Sequence, residues 1–242
     1  MTADGWVREV RRSLGLGRLL PLGDARDGAW ITEHAARAVL SAAASGVRGV
    51  RLGPLRLGLA DPAETGEPAV PPPPSALPPG ALRIEADFEA IATTPLPTTA
   101  DRLRAQLWEC ATTQLGLAVS AVDLRVTGLL DHEPEPDDVQ RKPPASAGRA
   151  PRPGTDEARA AAAARSVLGV AGLTEDLGRA VHIEQRDTPP GAAALAGRHV
   201  RIELAVRTGY RAVDVALSVR REVSRELPGL PSVAVLVTRI GP

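Results

Sequence analysis

The chain has 242 residues, with 29 Lys plus Arg set against 29 Asp plus Glu, so no net field steers it toward nucleic acid or an anionic membrane. Hydrophobic residues make up 43% and aromatics only 2%, which argues against wholesale disorder and demands an aliphatic core. The single cysteine, Cys110, excludes an internal disulfide and a thiolate metal cluster. Lys142 is the only lysine, and with the abundant alanine this reads as the codon bias of a GC-rich bacterial genome. The first residues carry no apolar signal region, and no stretch approaches the ~18 apolar residues of a spanning helix. The expectation is a soluble cytoplasmic protein that meets the inner face of the membrane only peripherally, if at all.

Residues 1–20 predict an amphipathic helix and a turn, with Trp6, Val10 and Leu14 at helical spacing and Arg8, Arg11 and Arg12 around them. Trp6 and these arginines are the candidate membrane contact, against the plainer reading of a helix capping its neighbour. Gly15-Leu16-Gly17 lacks the preceding strand and third glycine of a dinucleotide loop. Ala29-Trp30-Ile31 reads as a short strand, Thr32 as a helix N-cap with Glu33 in the first turn, and Gly46 as the stop. An extended segment follows over residues 47–59. Residues 61–80, with Pro71 to Pro74, Pro78 and Pro79, form a stiff insertion between two strands.

Leu82, Ile84 and Phe88 alternate with Arg83, Glu85, Asp87 and Glu89 in a half-buried strand. A helix over residues 99–115 carries Leu103, Leu107 and Cys110 on one stripe and ends at Gly116. Val122, Leu124 and Val126 then alternate with Asp123, Arg125 and Thr127. The charges on this sheet face read as an ordinary solvated surface. Residues 131–155 are acidic, then basic, and rich in Pro, and predict a disordered linker. A second set of elements follows: an Ala-rich helix over 156–167, an extended stretch over 177–184, an alternating strand from His199 to Arg207, a helix over 212–227 stopped by Pro228-Gly229, and an apolar strand from Val233 to Ile240.

The two sets share four landmarks in order. Gly49-Val50 matches Gly169-Val170, Arg83-Ile84-Glu85 matches Arg201-Ile202-Glu203, Gly116-Leu117 matches Gly229-Leu230, and Val126-Thr127 matches Val237-Thr238. That order indicates duplication of one unit. The expected fold is α+β: two similar two-layer units in tandem, residues 21–130 and 156–242, each with helices on one face of a small, largely antiparallel sheet. At these landmarks the chain resembles the alkaline shock protein family of bacterial envelope and general stress, in two divergent tandem copies. The resemblance implies a non-enzymatic scaffold or adaptor, sometimes held at the membrane by a separate anchor protein. The chain departs from that pattern in its tandem copies, its Pro-rich insertion and the lack of an opening strand in the second copy.

No constellation for catalysis emerges. His34, His132, His182 and His199 lie outside ligand spacing of one another and of Cys110, and neither a Gly-x-Ser-x-Gly elbow nor a phosphate loop is present. No enzyme activity, cofactor or metal is expected, and Cys110 reads as a buried small hydrophobe. On the last strand, Leu236 and Ile240 are expected to face outward where the first copy has Arg125 and Leu129. They mark an interaction surface covered by the other copy, a second chain or the N-terminal helix. The alternative is a small-anion site or enzymatic module in the cleft between the copies, built from Arg201, Glu203 and Arg207 with Arg83 and Glu85. The partner expected is a protein or a second copy.

Overall fold

The computed structural model describes residues 17–134, 154–186 and 197–241. The chain begins with a hairpin of β1 (Leu19–Leu22) and β2 (Ala29–Thr32). Thr32 then caps α1 (Glu33–Ala44), its Oγ1 accepting the Ala35 amide at 3.2 Å, which satisfies one donor that a helix start leaves free. β3 (Val50–Leu59), β4 (Leu82–Ile91), α2 (Leu96–Glu109) and β5 (Val119–Leu130) follow. The helix predicted from residue 99 starts one turn earlier, behind Pro95, and its last turn, Cys110–Leu115, widens to π geometry. In that turn the Thr112 and Thr113 hydroxyls donate back to the Trp108 and Glu109 carbonyls, a bonding mode that competes with the α ladder.

The later part repeats this order. Thr155 caps α3 (Asp156–Ser166) through the Ala158 amide, as Thr32 caps α1. β6 (Val170–Leu173), β7 (Val181–Arg186), β8 (Gly197–Arg207), α4 (Ala212–Glu226) and β9 (Ser232–Gly241) complete the α+β fold. The extended stretch expected over 177–184 is a loop up to residue 180 and a strand from Val181. β6 and β7 both pair antiparallel with β8, one after the other along the same edge, so they act as one interrupted strand.

β3 pairs antiparallel with β4, and β4 parallel with β5, in a three-stranded sheet; β6 and β7 pair antiparallel with β8, and β8 parallel with β9, in a six-stranded one. The match extends to residues. Val50, Ala90 and Leu129 lie side by side across the small sheet, as Val170, Val206 and Ile240 do across the large one. Leu52, Phe88 and Val126 correspond in the same way to Leu173, Leu204 and Val237. Each parallel pair then carries one extra residue on its last strand, Thr127 in β5 and Thr238 in β9, a bulge of the same kind at the same place.

The halves are nevertheless interwoven. β2, from the first half, pairs parallel with β9, from the second, and β1 extends that edge. One continuous core holds Leu40, Phe88, Leu103 and Leu107 together with Ala160, Val219 and Val235. The Pro-rich segment joins β3 to β4 by way of the large sheet: Leu77 N donates to Leu19 O at 2.8 Å and Ala69 N to Ala25 O at 2.9 Å. It lays Val70 over the sheet face opposite the main core, where Leu19, Trp30, Ala234 and Leu236 form a second buried cluster.

Candidate functional site

Equivalent faces of the two sheets have opposite fates, and the chemistry follows from that difference. On the small sheet the face away from the core is open. Arg51 pairs with Glu89 at 2.8 Å, Arg83 with Asp123 at 3.2 Å, and Arg125 grips Asp87 through two bonds of 2.8 and 2.6 Å. Pro54, Arg56, Glu85, Asp87, Asp123 and Arg125 border a shallow groove there. The bond from Arg125 holds the Asp87 carboxyl below its ordinary range, and Asp87 raises Arg125 in turn. These pairs are solvated, so each adds little stability.

On the large sheet the same face is roofed by residues 61–80 and by the loop between β6 and β7. Leu236 is the positional counterpart of Arg125, Glu203 of Asp87, and Arg201 of Glu85. Leu236 is fully buried against Trp30, Leu19 and Val70. Glu203 is fully buried as well, and its cross-strand neighbour is Leu236 in place of an arginine. Its Oε2 accepts the Leu177 amide at 2.8 Å, while Oε1 lies 3.7 Å from the Arg201 guanidinium, beyond hydrogen-bond reach. Burial pushes its carboxyl up to about 7, with the Leu177 amide, the Arg201 charge and the Asp176 amide opposing the shift and the Asp176 charge adding to it.

The loop that Glu203 holds is fixed at further points. Thr174 N donates to Glu203 O at 3.0 Å, the Thr174 and Thr238 hydroxyls lie 2.8 Å apart, and Arg239 Nη2 donates to both carboxylate oxygens of Asp176 at 2.9 and 3.1 Å. Among the described residues three buried polar atoms, Trp30 Nε1, Arg201 Nε and Glu203 Oε1, have no hydrogen-bond partner. Buried polar groups are nearly always satisfied, so this face is where polar cost concentrates.

The structure brings Leu236, Arg201 and Glu203 together and separates the other candidates from them. Ile240 does not share the face of Leu236: the extra residue at Thr238 turns it to the main core, which it flanks half-buried. Arg207 stands at the exposed end of β8, its Nε donating to Val170 O at 3.3 Å. Arg83 and Glu85 lie on the other sheet. Trp6, Arg8, Arg11 and Arg12 lie outside the described residues. Sequence reasoning missed Trp30, Val70, Asp176 and Arg239; the outward apolar Leu236 was the signal that this face is covered.

Cys110 is buried, its Sγ 3.9 Å from Val39 O, and burial followed by the charge of Glu109 pushes the thiol up to about 11. Among the described residues no group of three or more His, Cys, Asp or Glu is placed to hold a metal ion, and no helix is long and apolar enough to cross a membrane. No family model matches the chain, and no curated protein or solved structure matches it either.

Proposed function

We propose that the chain is a non-catalytic bacterial scaffold or adaptor of the alkaline shock type. It is built from two tandem copies of one α-β-β-α-β unit and acts through protein–protein contacts in envelope stress, in the cytoplasm and at most peripherally at the membrane. The observation that carries this reading is the residue-by-residue match of the two halves, down to the bulges at Thr127 and Thr238. Equivalent polar positions are used for ion pairs in one half and for fixing a loop in the other, which is how a framework spends its charges. Affinity capture with the full chain as bait, together with sedimentation of the purified protein, tests it. A stoichiometric partner or reversible self-association is expected; a protein that captures nothing and stays monomeric refutes it.

A second reading, small-anion binding between the halves, is favoured by the buried Arg201 Nε that lacks a partner. Glu203 beside it opposes an anion whenever it is ionised. Titration with inorganic phosphate, followed by the fluorescence of Trp30 in a chain carrying Trp6→Phe and Trp108→Phe, decides this reading, and an unchanged spectrum at millimolar phosphate removes it.

A further inference from the structure

The β9 residues that accept β2 are Val235, Leu236 and Val237. Their counterparts on β5 are Leu124, Arg125 and Val126, and among the described residues nothing pairs with that edge. The positional counterpart of β2 is the segment just ahead of Thr155. Pro151 and Pro153 stand there, removing N–H groups that a paired strand donates. An open edge invites another strand. We propose that β5 of one copy pairs antiparallel with β5 of a second copy about a two-fold axis, Leu124 facing Leu124, so that two three-stranded sheets become one six-stranded sheet. This rests on the reading that the chain works through protein–protein contacts, and it names the surface for one of them.

Charge selects the register. β5 runs regularly over residues 121–126, between its two irregularities. Opposed residues of an antiparallel pair share a face, and a slip of one residue would set core-side positions against polar ones. Of the central registers that keep the faces matched, one centred on Asp123 sets that carboxylate against itself, and one centred on Arg125 sets that guanidinium against itself. Only the register centred on Leu124 places Asp123 opposite Arg125 of the second copy, twice over. It continues the pairs already present, Arg83 with Asp123 and Arg125 with Asp87, into a row of alternating charge across the junction. On the core side it sets Val122 against Val126, which is 40% exposed in the single chain. Arg104 Nε donates to the Val122 carbonyl at 3.3 Å, leaving that oxygen a second lone pair for an incoming amide.

Sedimentation velocity on the full chain from about 1 to 300 μM spans the affinities expected of so short a pairing. Wild type should dimerise reversibly. Asp123→Arg and Arg125→Asp should each weaken dimerisation roughly tenfold, since each turns two attractive cross-strand pairs into repulsive ones. The equimolar mixture of the two variants restores both pairs and should restore the dimer. Wild type that stays monomeric, single variants that dimerise undiminished, or a mixture that fails to recover overturns the proposal. Hydrogen exchange on wild type gives a readout independent of any variant: amides of residues 122–126 should slow with rising concentration, and their indifference also overturns it. Affinity capture of other proteins by Asp123→Arg separates failure of this edge from failure of the scaffold reading.

Discussion

Glu203→Gln isolates the electrostatic cost of the buried face. The Glu203 carboxyl is raised from 4.5 to about 7 in the folded chain, so the fold holds this proton more tightly than the unfolded chain does. Its stabilising contribution is therefore fully present below pH 4.5 and is lost as pH rises through about 7. Converted at 1.36 kcal/mol per unit, wild type should lose about 3 kcal/mol relative to Glu203→Gln across that window. Glutamine keeps an oxygen for the Leu177 amide and cannot ionise, and His titrations common to both proteins cancel in the difference. Urea unfolding at intervals from pH 4.5 to 8, with the m-value checked for constancy, gives the two curves. Parallel curves would show that Glu203 is solvated or already well paired and would refute the argument.

Three further outcomes follow from the packing. Leu236→Ala should cost about 2–5 kcal/mol by the usual price of a buried leucine truncation, measured by urea unfolding; a cost below ~1 kcal/mol would mean that the Pro-rich roof is not seated on it. Gly116 has φ +84° and an added Cβ would lie 2.2 Å from Val213 Cγ1, so Gly116→Ala should lower stability by roughly 2 kcal/mol or more through combined strain and overlap. A thermal melt unchanged by Gly116→Ala would place Val213 elsewhere. Cys110, buried and raised to about 11, should react with a disulfide reagent at pH 8 at least ~100-fold more slowly than a free thiol until urea unfolds the chain; rapid stoichiometric labelling of the native protein would contradict its burial.

The element types were legible because they are local. Alternation gives β4, β5 and β8, an apolar run gives β9, and Gly49-Val50, Gly169-Val170, Val126-Thr127 and Val237-Thr238 fall at matching positions in the two sheets. The landmark Arg201-Ile202-Glu203 does not: its true counterparts are Glu85-Ala86-Asp87, two residues beyond Arg83-Ile84-Glu85. A period-2 pattern names the face and leaves the register free to slip by two. Other features depend on contacts far apart in sequence. Nothing in Ala29–Thr32 says that it pairs with Val235 to Val237, and nothing in residues 61–80 says that they roof the other half. Glu203 sits in a run that reads as solvent-facing, so its burial was invisible. Ile240 was misplaced because a single-residue bulge at Thr238 leaves no mark in the hydrophobic pattern.

The two carboxylates at equivalent positions show what separates the halves. Asp87 faces Arg125 in water and is shifted down; Glu203 faces Leu236 under a roof and is shifted up. One arginine-to-leucine difference at the neighbouring position, together with the cover that the loop between β6 and β7 lays over Glu203, accounts for both directions: removing the cross-strand cation deletes the stabiliser of the charged form, and excluding water penalises that form further. The open half alone provides the test. Arg125→Leu recreates the large sheet's pair on the small sheet without its roof, so the Asp87 carboxyl should return toward its ordinary range and stop there, since water still reaches it. A titration of the Asp87 carboxyl carbon by NMR measures this. A shift well above the ordinary range would mean that an apolar neighbour alone produces the behaviour of Glu203, and that the roof over the large sheet contributes nothing to it.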